Sequence, residues 1–298
     1  VIEGVMYRGP KHWVVAVRNP QGKLTSLVQD VPSWSKKYPF LRWPLIRGAV
    51  GLVEAVTIGY KSLSYSAEIA AGTEVEIGAK EMAFSTIVGL LLALGLFLAL
   101  PVWLTGWLNK FLEAALGGLV RQSLMHNLIE GLIRIGIFFS YLLAISTVPD
   151  VRRVFEYHGA EHKTVHAFEH RQPLTTTAVA KYSTEHVRCG TAFLLIVMIV
   201  AIFIFALLGQ PSSILARIGL RLLALPLVAG LAYEVIRFAG RHEDSKLVKI
   251  VMSPGLWLQR LTTREPSNEQ IEVAIFSLQE LLKYEQLTGL GDENERKA

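Results

Sequence analysis

The chain has 298 residues, of which 51% are hydrophobic and only 18% are charged, and its mean hydropathy is +0.38. This balance excludes an ordinary soluble domain and indicates a membrane protein that carries soluble segments. The formal net charge is +5, and Cys189 is the only cysteine, which excludes a disulfide within the chain. We expect a mainly α fold, a polytopic helical membrane protein with about four spans, interfacial helices and a small N-terminal β element.

The N-terminal part of the chain is predicted to lie against the membrane surface. Residues 1–43 form a β element and an interface anchor: a turn-forming Asn-Pro-Gln-Gly sequence predicts a hairpin near 12–18 and 24–30. Aromatic residues mixed with lysines over 34–43 are typical of such an anchor. Residues 44–82 mix apolar residues with charges and glycines, which predicts an interfacial or re-entrant helix and a loop.

The central part, 83–236, is predicted to be the membrane domain. Its four apolar segments run over 83–107, 128–148, 191–208 and 214–236. Pro101 is expected to bend the first of them. A polar, histidine-rich insertion separates the second from the third at 149–190. Residues 237–298 are predicted to form cytoplasmic interfacial helices and a C-terminal helix, which Ser267 and Gln270 start with capping-box spacing.

Lysine and arginine alternate between the regions that these four spans would separate. There are ten in 1–82, two in 108–127, six in 149–190, none in 209–213 and nine in 237–298. Positively charged residues accumulate on the cytoplasmic side of membrane proteins. The pattern therefore predicts a multi-pass protein of the bacterial cytoplasmic membrane with both termini, and the histidine-rich insertion, in the cytoplasm.

Charged residues also occur inside the predicted spans. They are Glu130, Arg134, Arg217 and Arg221. The first two are four residues apart and can pair on one helical face, and the topology brings the other two near the same end. We interpret them as a structural ion-pair cluster between helices; a conduction path through the membrane is the alternative.

The insertion at 149–190 contains the residues with the clearest chemistry. His158, His162 and His166 are four apart, so on a helix they share one face. His186 and Cys189 add nitrogen and sulfur from a second segment. Buried imidazoles need a partner, and zinc binds His, Cys and carboxylate, so we predict a divalent-metal site, with zinc as the metal. A network of Glu–His pairs is the alternative.

Residues 158–162 match the inverted zincin pattern H-x-x-E-H, in which a glutamate acts as the base. Glu161 is therefore the candidate base for activating metal-bound water. An alternative is that Cys189 acts as a nucleophile beside His186.

Four segments resemble a known family. Residues 1–10, 156–163, 188–191 and 254–260 are similar to the YqhQ-like bacterial membrane proteins, a domain of unknown function described as predicted metal-dependent enzymes. The resemblance implies a bacterial membrane location and a metal site. Its motifs contain Glu3 and Arg8, which with Glu169 we expect to support the ligands or contact the substrate. His170 lies outside the motifs and is left out of the ligand set.

These observations lead to a main hypothesis and two alternatives. The main one is an integral membrane protein with a cytoplasm-facing metal site, a metal-dependent hydrolase acting at the membrane interface. Membrane lipid is the expected partner and nucleic acid is not; the substrate and homo-oligomer formation are left open. The first alternative is a non-enzymatic scaffold or transport subunit with a structural cluster, and the second is a transporter that uses the charged residues within the spans.

Overall fold

A computed structural model describes residues 1–32, 34, 38–72, 79–116, 123–186, 189–209, 213–242 and 245–287. The architecture is mainly helical with a small N-terminal sheet, as the sequence predicts. Lys36 and Lys37 of the predicted anchor, Arg188 of the third motif and the last eleven residues, 288–298, lie outside the described residues.

The N-terminal sheet has three antiparallel strands in the order β1 (Gly4–Arg8), β2 (His12–Arg18) and β3 (Leu24–Asp30). The predicted hairpin is therefore confirmed, and β1 is an additional strand at its edge. Side chains of β2 alternate between two buried faces: Trp13 packs with Ile58 on one, and Val14 packs with Tyr157 on the other. Since side chains alternate along a strand, a run of buried apolar residues requires cover on both faces of the sheet.

The helices of the described residues are, in chain order, α1 (Ile46–Ala71), α2 (Ala79–Leu94), a π-helical turn (Gly95–Ala99), α3 (Leu100–Leu116), α4 (Ser123–Ile145), α5 (Pro149–Glu169), α6 (Thr176–Val179), α7 (Gly190–Leu207), α8 (Ile214–Arg241), α9 (Lys246–Thr262) and α10 (Asn268–Leu287). A 3-10 turn (Pro39–Arg42) precedes α1. Helices α5 and α10 cover one face of the sheet, and α1 covers the other. The predicted capping box is confirmed: the Ser267 N–H donates to Gln270 Oε1 at 2.8 Å, and the Gln270 N–H donates to Ser267 Oγ at 3.3 Å.

Three helical segments of the described chain are long and apolar enough to cross a membrane: Ala83–Asn109, Met125–Ile145 and Ile214–Arg241. They coincide with three of the four expected spans. The remaining one corresponds to α7, whose apolar part, Phe193–Leu207, is shorter. Leucines on this bundle are strongly exposed, with Leu207 at 83% and Leu223 at 78%, which is the surface expected of helices that face lipid.

Helix α1 is a single helix of 26 residues, which extends into the segment where a loop was expected. Its first turns cross α8 closely because both helices have glycine at the contact. A Cβ at Gly48 would lie 2.8 Å from the Cα of Gly230. This contact places the start of α1 beside the C-terminal half of α8, near the start of α7, which follows the histidine-rich insertion.

Candidate metal centre

Helix α5 carries the three histidines on a face that packing defines. Pro149 occupies its first turn, where a missing N–H does no harm, and Asp150 follows it. Tyr157, Ala160 and Ala167 pack against the sheet and α10. This packing fixes the rotation of the helix, so that the histidines face the segment 180–189 and the end of α9.

Backbone carbonyls hold three imidazole rings in place. Nδ1 of His158 lies 2.8 Å from the carbonyl oxygen of Thr262, and Nδ1 of His162 lies 2.6 Å from that of Thr184. Nε2 of His166 lies 2.7 Å from the carbonyl oxygen of Glu185. A carbonyl only accepts, so each of these nitrogens carries the proton, and the opposite nitrogen of a neutral ring has a free lone pair. Metal-binding histidines are oriented in this way.

The first cluster, triad one, consists of His158, His162 and Cys189. One ligand atom from each lies within 4.8 Å of the other two. Cys189 Sγ is 3.2 Å from Nε2 of His158 and accepts from the Thr191 N–H at 3.3 Å. Burial raises the pKa of the Cys189 thiol, but the hydrogen bond and charge of His162 outweigh it and lower the pKa overall. A thiolate and two imidazoles are suitable ligands for zinc.

The second cluster, triad two, consists of His166, Glu169 and His186, with ligand atoms again within 4.8 Å of one another. Nε2 of His186 lies 3.0 Å from Oε2 of Glu169. Burial lowers the pKa of His186, while Glu169 acts in the opposite direction. The ring centroids of His162 and His186 are 5.8 Å apart, so the two triads are neighbours.

The five predicted ligands therefore converge from two segments, but they divide into two groups rather than forming one. His186 lies with Glu169, which the sequence analysis treated as a supporting residue, and its ring does not belong to the cluster of Cys189. The imidazole beside Cys189 is that of His158. His170 is exposed, and its Nδ1 is bonded to the carbonyl of His166.

Glu161 lies on the same helix as both triads but belongs to neither. The hydroxyl of Tyr7 donates to its backbone carbonyl at 3.2 Å. Burial raises the pKa of its carboxyl group, and the nearby His158 opposes this effect. The role of Glu161 as a base stays a prediction.

The two N-terminal candidates have different positions. Glu3 binds the guanidinium of Arg153 and accepts from the Tyr157 hydroxyl at 3.1 Å, so it joins the start of the sheet to α5 and is not a ligand in either triad. Arg8 donates to Glu54 Oε2 at 2.6 Å and lines a cavity that also borders Cys189.

Sequence reasoning missed the groups that position the second ligand segment. Gln259, fully buried in α9, is hydrogen-bonded to the backbone of His186. The carbonyls of Thr184, Glu185 and Thr262 also went unrecognised, since a backbone group has no signature in sequence. The sequence did contain a signal for Gln259, because this residue lies in the family motif at 254–260.

Three of the four charged residues predicted within the spans form a buried cluster. Glu130 is 1% exposed and accepts from Arg134 at 2.7 Å and from Arg221 at 2.6 Å. Arg217 lies farther out, where its Nη1 is 3.3 Å from Nε2 of His126. Glu130 and Arg134 thus pair within α4, and Arg221 reaches the same carboxylate from α8.

Comparison with known proteins extends these observations. The profile of a family described as "Protein of unknown function (DUF1385)" matches residues 43–284. The chain is 33% identical over 294 residues to the "Uncharacterized protein YqhQ" of Bacillus subtilis (strain 168), covering 97% of this chain and 92% of that protein. No solved structure matches the chain.

Proposed function

The chain belongs to the DUF1385 family of proteins of unknown function, and we propose that it is an integral membrane protein with a divalent-metal site on its cytoplasmic face. The observation that carries the proposal is that one ligand atom each from His158, His162 and Cys189 lies within 4.8 Å of the others, while backbone carbonyls hold both histidine rings. The alternative, a structural network of Glu–His pairs, would not explain why the thiol of Cys189 lies in the same cluster as His158 and His162.

The proposed topology has four spans, with α7 as the third. The alternation of basic residues supports it, as does the packing of α7 against both α4 and α8. Helix α7 begins at Gly190 and ends at Leu207, a length of 18 residues that lies within the range of about 17–25 residues found for transmembrane helices. Both termini then lie in the cytoplasm with the two triads.

Zinc is the metal that the donor set fits best, and triad one is its proposed site. His158, His162 and Cys189 supply three ligands, which leaves a fourth tetrahedral position for water or substrate. Triad two, with a carboxylate and two imidazoles, is a second candidate position. A zinc ion at triad one would act as a Lewis acid and lower the pKa of a bound water molecule.

The proposed reaction class is hydrolysis of a substrate reached at the membrane interface. Glu161 is the proposed base, because the H-x-x-E-H spacing puts it one turn from His158 on α5. Its carboxylate would take the proton from the attacking water.

Metal analysis of the purified protein tests the site. We expect His162→Ala to lose the metal of triad one and His186→Ala to lose any metal of triad two. His170→Ala is the matched control, because this histidine directly follows the same helix but is exposed. Equal metal content in the wild type and all three variants would falsify the proposal.

A second candidate function is nucleophilic catalysis by Cys189. The thiol lies 3.2 Å from the ring of His158, and the carbonyl of Thr262 orients that ring, as a third group does in cysteine enzymes. Alkylation by iodoacetamide separates the two functions. A metal-bound thiolate is protected until a chelator is added, whereas a catalytic thiolate reacts rapidly at once and is unaffected by the chelator.

A further inference from the structure

A cavity of about 710 Å³ borders triad one through Cys189. Its volume falls within the range of about 300–1,000 Å³ that small-molecule sites occupy. The first turns of α1 form one wall, the end of α8 forms another, and the start of α7 closes it beside Cys189. A molecule in this cavity would therefore lie next to the proposed metal site.

The cavity walls carry an excess of positive charge. Their guanidinium groups belong to Arg8, Arg42, Arg47 and Arg237. Two of them are paired with carboxylates, Arg8 with Glu54 and Arg47 with Glu234, which lies just behind the wall. Without counting Arg42, three guanidinium groups and two carboxylates leave a net charge of one positive unit among the described residues, contributed by Arg237. Such a charge at a low-dielectric boundary favours an anionic ligand.

The start of α7 strengthens the same preference. Cys189 is its N-cap and Gly190 its first residue, and both line the cavity. The Thr191 N–H donates to Cys189 Sγ, whereas the other N–H groups of a first helical turn have no acceptor within the helix, and the helix dipole is positive at this end. Phosphate oxygens are the anions most suited to arginine forks and helix N-termini together.

The remaining lining is apolar. Leu41, Val50, Phe193 and Ile236 contribute it. Leu41 belongs to the 3-10 turn, whose neighbours Phe40 and Trp43 are 51% and 64% exposed, as expected of an interface anchor. A small hydrophilic anion gains nothing from contact with these apolar walls, whereas the hydrocarbon chain of a lipid would bury apolar surface against them.

We propose that this cavity binds a phosphate-bearing lipid, with its phosphate at the arginines and the N-terminus of α7 and its hydrocarbon chains along the apolar wall. The inference rests on the proposed function, since it names the substrate class of the same site. Binding itself needs no metal, so it can be measured on protein from which a chelator has removed any metal.

The test is calorimetric titration of the detergent-solubilised, chelator-treated protein with three probes: dioctanoyl phosphatidic acid, inorganic phosphate and dioctanoylglycerol. Phosphatidic acid should bind at least about tenfold more tightly than either of the others. If inorganic phosphate binds equally tightly, the apolar wall contributes nothing and the lipid proposal fails. If dioctanoylglycerol binds equally tightly, the arginines contribute nothing and it fails as well.

Two variants locate the binding. Arg237→Gln removes a positive charge from the wall and should weaken phosphatidic acid binding about tenfold. Arg152→Gln is the control, since its side chain is 66% exposed on α5 and does not line the cavity. Gly51→Leu fills the cavity without removing a charge, because a Cβ there meets only the Tyr233 ring, at 4.0 Å. Unchanged binding in both Arg237→Gln and Gly51→Leu would overturn the proposal.

Metal content measured on untreated samples of the same preparations separates this inference from the proposed function. Lipid binding in a protein that never holds metal supports the cavity and contradicts the metal site. Stoichiometric metal without selective binding of phosphatidic acid supports the metal site and overturns the inference.

Discussion

The side-chain amide of Gln259 forms hydrogen bonds with both backbone groups of His186. The His186 N–H donates to Oε1 at 2.7 Å, and Nε2 donates to the His186 carbonyl at 2.8 Å. Gln259 is fully buried, so this pair of bonds fastens the segment that carries His186 and Cys189 to α9. One ligand of each triad, His186 and Cys189, is thus positioned through bonds between Gln259 and the backbone of His186.

Gln259→Leu should therefore lower both stability and metal affinity. The buried N–H of His186 would lose its bond to Gln259, which costs about 1–3 kcal/mol, whereas the His186 carbonyl would keep its bond from the Cys189 N–H. Displacement of the segment should weaken metal binding by about 10–100-fold, as loss of a supporting hydrogen bond does elsewhere. Gln172→Leu, at an exposed position, is the control. Thermal unfolding and metal titration of both variants check this, and wild-type affinity in Gln259→Leu would contradict it.

Removal of the metal should lower the melting temperature of the protein. A ligand that binds only the folded state stabilises it, by about 2.7 kcal/mol at a hundredfold excess over its Kd. The shift on adding a chelator should be present in the wild type and in His170→Ala. It should be smaller in His162→Ala, which lacks the metal of triad one. Equal shifts in His162→Ala and the wild type would show that the chelator acts elsewhere.

Gly159→Ala should destabilise the contact between α5 and the segment that follows α9. A Cβ at Gly159 would lie 2.1 Å from the carbonyl oxygen of Arg264, which is backbone and cannot move aside cheaply. The cost should be about 1–3 kcal/mol, as for other overpacked positions. Gly136→Ala, on α4 with nothing within 4 Å, should be neutral or slightly stabilising. Denaturant or thermal unfolding of the two variants gives the comparison.

Glu130→Gln should be among the most destabilising single changes within the spans. It would leave the buried guanidinium groups of Arg134 and Arg221 without their shared carboxylate. Loss of one member of a buried ion pair costs about 3–5 kcal/mol. Glu280→Gln removes the same charge from a pair with Lys283, whose side chain is 63% exposed, and should have little effect. A small effect at Glu130 would mean that water reaches the cluster.

Arg134 also donates a hydrogen bond to a backbone carbonyl that Pro101 cannot bond. Its Nε donates at 2.9 Å to the carbonyl of Phe97, the group to which residue 101 would donate in a regular α-helix. Proline has no N–H, and the chain forms a π-helical turn just before it. Arg134→Lys should therefore be less harmful in a Pro101→Ala background, with a coupling of about 0.5–1.5 kcal/mol in a double-mutant cycle of unfolding free energies. Additive effects would show that Arg134 acts through Glu130 alone.

The sequence pattern was sufficient to predict those parts of the fold that depend on interactions between neighbouring residues. The turn between β2 and β3 depends on its own Asn, Pro and Gly residues. The start of α10 depends on the reciprocal bonds of Ser267 and Gln270, three residues apart. The stripe of His158, His162 and His166 follows from helical periodicity alone. In each case the interacting groups are close in sequence, so their spacing predicts their contact.

The arrangement of the site depended on tertiary structure. Sequence predicted that the ligands of α5 and of the segment near Cys189 would converge, but not that they would divide into two triads, because this division depends on where Gln259 fastens the segment. The cavity likewise needs Arg47 and Arg237, from helices nearly two hundred residues apart, whose approach depends on Gly48 and Gly230. Periodicity thus determined which face of each helix is polar, while packing between distant helices decided which polar faces meet.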